Sequence, residues 1–489
     1  MITNKTHSIR SSKTCTNQKI IVVDLDGTLV HTDLLVENLF LLLRLNPLLI
    51  FEVISWLFKG KAHFKRRLAN IVLPDVKSLP YNLELLDWLK QQKSNGYRLV
   101  LATASDARIA NDVADFLGIF DEVYGTESVN LSSMHKQELL VDRFGQYGYE
   151  YVGNSLADLS VWSTSSLIHI ANPERGVRAA AKRLGKTGQI FSRPGSYISS
   201  LFKSLRLHHW TKNLLVFVPL AASHRIFEVP LLVNGMLAFL TFGACASSVY
   251  LLNDLLDLPD DRYHPSKCFR PLAAGTFPIL HAVVLIPTLL LGAFSFSLWL
   301  LPVEFTLALT GYYLLTLTYS LWLKRVVILD VVVLALLYTA RVVAGSMAMA
   351  LVATFWILAF CMFIFMSLAL IKRYTELREA RLNVHAELPA GRGYYPTDFE
   401  LLASLGTSSG YIAVLVLALY INDAASGNLY RSPQWMWAAC PLLLFWLSRA
   451  WLLAHRGQMH DDPIVFALRD TVSRWIGLAF ILVFLLAAF

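Results

Sequence analysis

Residues 253–275, NDLLDLPDDRYHPSKCFRPLAAG, hold the densest run of groups capable of chemistry in the chain. Oxygen donors lead: Asn253, Asp254, Asp257, Asp260 and Asp261. Bases follow: Arg262, Lys267 and Arg270. Carboxylate and amide oxygens are hard ligands of the kind Mg²⁺ takes, usually a few at a time while the ion also holds substrate phosphates. Guanidinium and ammonium groups match the phosphates themselves. At about 100° per residue, Asn253, Asp254, Asp257 and Asp261 fall within a roughly 100° arc of one helix. Like charges so placed repel unless a cation lies among them. Pro259 ends the regular helix, so Asp261 is expected to reach the site from the following loop. Long apolar runs flank the stretch on both sides. The pattern reads as a metal–diphosphate site at a membrane edge.

The elements that hold this stretch are apolar helices. The chain has 489 residues, 55% of them hydrophobic and 16% charged, with a mean hydropathy of +0.50. That composition describes a membrane protein, and the length allows several domains. The first 200 residues are mixed and polar; the rest is apolar with basic loops. The net charge of +8 suits anionic membrane lipids and phosphorylated substrates. No solvated basic stripe of the kind that grips nucleic acid is visible, which excludes that partner. The five cysteines are scattered without metal or disulfide spacing and read as small core residues. Residues 1–19 have no apolar core and do not form a secretory signal.

From residue 205 onward, apolar runs of spanning length recur. They place nine helices near 213–230, 231–252, 278–300, 303–323, 328–350, 352–371, 401–421, 433–453 and 473–489. Alternate loops hold roughly a dozen Lys and Arg and the opposite ones about two, Arg225 and Arg431, so the basic loops and the amino-terminal domain are expected on the cytoplasmic side of the cell's inner membrane. The same loops carry the other charged clusters. Arg206, Trp210 and Lys212 precede the first run. Lys324 and Arg325 end the fourth. Asp330 and Arg341 share one face of the fifth, where charges usually line a polar cavity. Lys372, Arg373 and Glu376 end the sixth, and Asp461 and Asp462 follow the eighth.

The amino-terminal part has its own chemistry. Residues 20–30, IIVVDLDGTLV, are a buried strand ending in Asp24 and Asp26, with Gly27 for a tight turn. Two carboxylates so placed suit a nucleophile beside a general acid over a metal. A second strand, 97–105, ends in Thr103 and Ser105. Lys136 lies downstream, and a third strand, 149–162, carries Gly153, Asn154 and Asp158. This order resembles the haloacid-dehalogenase-like hydrolases over about residues 18–190. The resemblance implies a Rossmann-like α/β fold with Asp24 as phosphoryl-accepting nucleophile and Asp26 as acid/base. Thr103 and Lys136 would bind the phosphoryl group. Asp158, Asp24 and the Asp26 carbonyl would hold Mg²⁺. One position departs: Asn154 stands where that family often has Asp. A helical cap is expected at about 31–90. Segment 34–58 is very apolar for a cap, and the basic 59–67 follows it. An amphipathic cap touching the bilayer or the second domain, and a plain buried cap, both remain open. Residues 191–204 read as a linker.

The motif NDxxDxxxD after the second of nine helices resembles the UbiA-type intramembrane prenyltransferases, over about 205–489. The runs RxxHWxKNxxVFxPL, NDxxDxxxDRxHPxKxxRPxAxG, YSxxLK and KRxxE are similar to the decaprenyl-phosphate phosphoribosyltransferase branch. The second acidic motif of the aromatic prenyltransferases is broken here: Asp330 is present, but Leu334 stands four residues later. The branch implies transfer of 5-phosphoribose from phosphoribosyl diphosphate (PRPP) to a polyprenyl phosphate. Mg²⁺ would sit on Asn253, Asp254, Asp257 and Asp261. Arg262, Lys267, Arg270 and Arg341 would neutralise the leaving group. Lys212, Lys324, Lys372, Arg373 and Glu376 would meet the phosphates and ribose. The hydrolase-like domain would then remove the 5-phosphate. An aromatic prenyltransferase, and an anchored phosphatase with a non-catalytic bundle, are the alternatives; a homo-oligomer is compatible with each.

Overall fold

The computed structural model describes residues 19–127, 130–382, 393–423, 430–459 and 462–488. Asp461 therefore lies outside the described residues, as does the amino-terminal stretch read as lacking a signal. The chain forms two compact units. One comprises 1–200 together with 255–280, and the other 201–254 together with 281–489.

The first unit is built on a six-stranded sheet in the order β3-β2-β1-β4-β5-β6. The strands are β1 (Ile20–Val23), β2 (Arg98–Asp106), β3 (Glu122–Thr126), β4 (Glu150–Gly153), β5 (Leu167–Ala171) and β6 (Thr187–Phe191). Every pairing is parallel. A parallel sheet is covered on both faces, so its strands read as continuous apolar runs. Accordingly Ile21, Val22 and Val23 are all fully buried. Successive side chains point to opposite faces. Ile21 and Val23 join Leu99 and Leu101 in one core, while Val22 joins Val100, Tyr151 and Trp162 in the other. β1 lies between β2 and β4, which brings the carboxyl ends of the three motif-bearing strands together.

Between β1 and β2 the chain inserts the helices Leu34–Leu45, Ile50–Phe58 and Lys61–Ile71. Leu42, Val53, Trp56, Phe64 and Leu68 form their small shared core. The segment 255–280 packs with this unit rather than with the bundle it interrupts, a grouping that the division expected at 190–205 does not contain. Arg262 donates from Nη1 and Nη2 to Glu37 Oε1 and Oε2 at 2.5 and 2.9 Å. Arg44 pairs with Asp260 at 2.6 Å, and the Tyr263 hydroxyl donates to Asp75. The stretch read as a linker contains the end of β6 and the helix Tyr197–Ser204.

The second unit is helical. Among the described residues, seven helices are long and apolar enough to cross a membrane. They lie within Val229–Leu256, Ile279–Leu300, Leu329–Ala348, Phe355–Glu379, Pro396–Asn422, Pro433–Arg456 and Thr471–Ala488. Two of the nine expected spans differ. Val303–Leu321 is one helix, but its Thr and Tyr residues lower its apolarity. The expected first span is the 3₁₀ helix Leu207–Phe217 followed by the short helix Val218–Ala222. Five residues rise only about 7.5 Å at 1.5 Å each, far short of a bilayer core of about 30 Å. Close packing holds this piece. A Cβ added at Gly345 would come within 2.0 Å of the Val216 carbonyl oxygen, so only glycine allows the approach.

Candidate functional site

In the first unit, the ends of β1, β2 and β4 and the helix Ser133–Phe144 gather the expected residues. Lys136 Nζ, on that helix, donates to Asp24 Oδ1 at 2.8 Å and to the Tyr151 hydroxyl at 3.0 Å. Tyr151 in turn donates to Asp158 Oδ1 at 3.1 Å. The other Asp158 oxygen accepts from the Asn154 and Ser155 amides, each at 3.0 Å. Asp26 Oδ1 accepts from the Leu34 amide at 2.9 Å. Its Oδ2 accepts from Ser105 Oγ at 2.6 Å and Thr103 Oγ1 at 3.4 Å. Asp24, Asp26, Thr103, Lys136 and Asp158 thus converge. Ser105 and Tyr151 are site residues that the motif did not assign; strand alternation could have found Tyr151, two residues before Gly153.

Gly27 has a φ of +70°, and a Cβ there would lie 2.3 Å from Asn154 Nδ2. The turn that follows the two carboxylates therefore requires glycine. Asn154 Oδ1 accepts from Thr28 Oγ1 at 3.3 Å, which ties the departing position to the same turn.

Burial raises the Asp24 carboxyl to about 7 against the pull of Lys136, and the nearby Asp158 charge adds to the rise. Burial, with the charge of Asp33, raises Asp26 to about 6 against its bonds from Ser105 and Leu34. Burial works against the Lys136 charge, but the Asp24 and Asp158 carboxylates overcome it and lift its pKa. Two buried carboxylates share one ammonium. Such a donor set fits a hard divalent cation, which also favours crowded carboxylates.

In the second unit a cavity of about 180 Å³ opens among the helices. Arg206, Lys212, Arg341 and Lys372 line it, with Asp462, His209, Asn253 and the hydroxyl-bearing Tyr250, Tyr312 and Tyr338. Lys212 Nζ donates to Asp462 Oδ2 at 2.7 Å, and Lys372 Nζ stands 3.5 Å from the same oxygen. Burial works to raise the Asp462 carboxyl, but the two ammoniums hold it well below the usual carboxylate range. Arg341 donates to Asn213 Oδ1 at 3.1 Å, the Tyr312 hydroxyl at 2.9 Å and the Leu337 carbonyl at 2.5 Å. Trp210 fixes the segment that carries Lys212, its Nε1 donating to Ser247 Oγ at 3.0 Å.

The acidic stretch is split. Asn253 and Asp254 occupy the last turn of Val229–Leu256. Asn253 Oδ1 is buried without a hydrogen-bond partner, and Asp254 is paired with Arg206. Asp257 caps the helix Leu258–Tyr263, which carries Asp261 and Arg262. Asp261 Oδ2 accepts from Arg270 at 2.6 Å, and Lys267 lies in the turn Lys267–Phe269. Among the described residues, no three His, Cys, Asp or Glu side chains cluster as a metal centre. The hard oxygen donors and the orphaned amide oxygen still match Mg²⁺ chemistry.

Three expected roles change. Arg262 does not face a diphosphate: Glu37 takes both of its terminal nitrogens in a buried bidentate pair. Arg373 does not face the cavity either. It is locked to Asp330 Oδ2 at 2.5 Å, Glu376 Oε2 at 2.7 Å and the Tyr319 hydroxyl at 3.1 Å. Asp330 and Arg341 have separate partners, because Tyr394 also donates to Asp330. Lys324 sits in the turn Leu323–Arg325, outside the cavity lining. Asp462, which motif reading left between topology and chemistry, is a central residue.

Among the described residues, a parallel α/β unit joined to a helical unit with seven helices of membrane-spanning character and a cationic cavity describes a multi-pass membrane protein. Residues 214–475 match the model described as the UbiA prenyltransferase family. The chain belongs to that family, and the match leaves out its amino-terminal parallel α/β unit. The uncharacterized protein y4nM of Sinorhizobium fredii is 35% identical over 467 residues, covering 95% of this chain and 90% of that protein. Decaprenyl-phosphate phosphoribosyltransferase of Mycobacterium tuberculosis is 31% identical over 297 residues, 59% of this chain and 94% of that enzyme. A solved UbiA homologue from Archaeoglobus fulgidus, bound to DMAPP and Mg²⁺, aligns with 59% of this chain and 99% of its own at 17% identity and a TM-score of 0.45.

Proposed function

We infer that the bundle transfers 5-phosphoribose from PRPP to a polyprenyl phosphate, and that the amino-terminal domain then removes the 5-phosphate of the product. The observation that carries this reading is the cavity, whose lining holds four cations and one carboxylate. Both substrates are polyanions, and preorganised cations stabilise charge that grows as the sugar–diphosphate bond breaks. Lys212, Lys372 and Arg341 bind and orient the phosphates, and Asp462 holds the two lysines in place. The acceptor phosphate is already ionised at neutral pH, so no strong general base is required. The decaprenyl-phosphate phosphoribosyltransferase relative supports the same acceptor class and the same transferred group.

Asn253 and Asp254, with Asp257 and Asp261 following in sequence, are the residues we assign to Mg²⁺ in the bundle; Asp24, Asp158 and the Asp26 carbonyl are those of the amino-terminal domain. When bound, the ion supplies charge neutralisation at phosphate oxygens. In the amino-terminal domain Asp24 attacks phosphorus, Lys136 and Thr103 hold the phosphoryl oxygens, and Asp26 carries the proton to the leaving oxygen. The basic loops support a cytoplasmic placement of both sites. We assign Val303–Leu321 and the broken first segment to the bundle as further members beside the seven long helices of the described residues, and the helices between β1 and β2 to the cap.

The aromatic-prenyltransferase alternative needs a second acidic site, and Asp330 is already spent on Arg373 and Tyr394. The test is incubation of purified protein with PRPP, Mg²⁺ and polyprenyl phosphates, followed by mass spectrometry of the lipid. A phosphoribosylated lipid is expected, and its loss in Asp257→Asn. No such lipid from the wild type, or an undiminished amount from the variant, refutes the reading.

A further inference from the structure

We propose that the insertion helix Ile50–Phe58, with its preceding turn Pro47–Leu49, is an interfacial helix that dips into the headgroup region of an anionic bilayer. The helix has nine residues, too few to be stable without a partner. Only Val53 and Trp56 are buried, in the small core of the insertion. The remaining apolar side chains have no cover: Phe58 is 89% exposed, Phe51 71% and Leu48 67%, with Ile50, Ile54 and Leu57 also exposed. At about 100° per residue, Ile50, Phe51, Ile54, Leu57 and Phe58 share a roughly 120° arc. A contiguous apolar face of this kind marks an interaction site.

Charge selects the occupant. Lys59, Lys61 and Arg67 follow the apolar face directly and are exposed. An apolar face bordered by basic residues matches an anionic lipid surface, where apolar insertion and attraction to headgroups act together. The chain supplies the third element, since its other unit carries seven helices of membrane-spanning character. A buried cap is excluded by the exposure of these residues. The contact sets the substrate class of the amino-terminal domain, a function that rests on the proposed phosphatase reading: a phosphate ester carried on a lipid rather than one free in solution.

The test uses the full chain in nanodiscs containing phosphatidylglycerol, in a background without the five native cysteines. A fluorophore is attached through Phe58→Cys, Phe51→Cys or, as a control on another exposed helix, Lys90→Cys. Lipids brominated in the acyl chain should quench the probe at positions 58 and 51 and leave position 90 unaffected. Equal quenching at 58 and 90 overturns the proposal. So does shielding of position 58 only when two copies share a nanodisc, which would make the face a self-association surface. This readout stands whether or not the domain is a phosphatase. A second measurement tests the consequence. Phe51→Glu/Phe58→Glu should cut hydrolysis of a lipid phosphate in vesicles about tenfold and leave that of a soluble phosphate monoester unchanged. Equal turnover of the lipid phosphate by variant and wild type overturns the link to substrate class.

Discussion

Replacing Glu37 by Ala should release the segment 255–280 from the amino-terminal unit without unfolding the bundle. The magnitude follows from the geometry. Arg262 is bound to both Glu37 oxygens at 2.5 and 2.9 Å, and the two side chains are only 5% and 2% exposed. Removing one member of a buried pair strands the other charge and costs about 3–5 kcal/mol. Glu37 also accepts from Thr32 Oγ1 at 3.2 Å, so a second group loses its partner. If that cost falls on local opening of the segment, its open population rises roughly a hundredfold or more. Lys267 lies inside the segment, followed by Cys268, and supplies a trypsin site. Pulse proteolysis of full-length protein, followed by mass spectrometry of the 255–280 fragments, should show cleavage accelerated by that factor. Glu37→Met/Arg262→Met, which removes both charges, should restore much of the protection. Unchanged cleavage in Glu37→Ala would show that the pair does not anchor the segment, and equally fast cleavage in both variants would show that burial rather than charge matters.

Asp462→Asn leaves Lys212 and Lys372 without their shared anion, and phosphoribosyl transfer should fall about a hundredfold in kcat/KM, measured with labelled donor; an unchanged rate removes Asp462 from the site. Asp24→Asn should leave transfer intact and cause the 5-phosphorylated lipid to accumulate, as read by mass spectrometry of the lipid. If dephosphorylation continues as before, Asp24 is not the nucleophile. Burial, assisted by the Arg193 guanidinium, lowers His31 from 6.5 to about 4. Between those values the unfolded chain binds the extra proton, so stability falls on acidification, by about 2 kcal/mol from pH 7 to pH 5. His31→Gln should flatten that part of the pH profile of thermal unfolding, and an unaltered slope would assign the dependence elsewhere.

The amino-terminal site was largely legible in the sequence, because its parts sit at strand ends in a fixed order. A buried apolar run followed by Asp24 and Asp26 determines both the strand and the direction in which the carboxylates emerge, and the parallel sheet then places Lys136 and Asp158 nearby. What pattern could not supply were pairs far apart in the chain. Glu37 and Arg262 are 225 residues apart, and Lys212 and Asp462 are 250 apart; neither pair leaves a periodic trace. The carboxylate partners of Arg262 and Arg373 were hidden in the same way, since a base beside an acidic motif looks identical whether its partner is a phosphate or a buried carboxylate. The shape of the first expected span was hidden for a different reason: its apolar content is real, but a 3₁₀ helix, Pro219 and the fit of Val216 against Gly345 replace one long helix.

The discontinuity of the amino-terminal unit has a biosynthetic consequence. Residues 1–200 emerge from the ribosome first, yet the surface prepared for Arg262 stays unfilled until residue 280 has been made. Val229–Leu256, a helix of membrane-spanning character, is synthesised in between, so it leaves the ribosome before the amino-terminal unit can be completed. Completion of the amino-terminal unit thereby waits on synthesis of an apolar helix that belongs to the other unit.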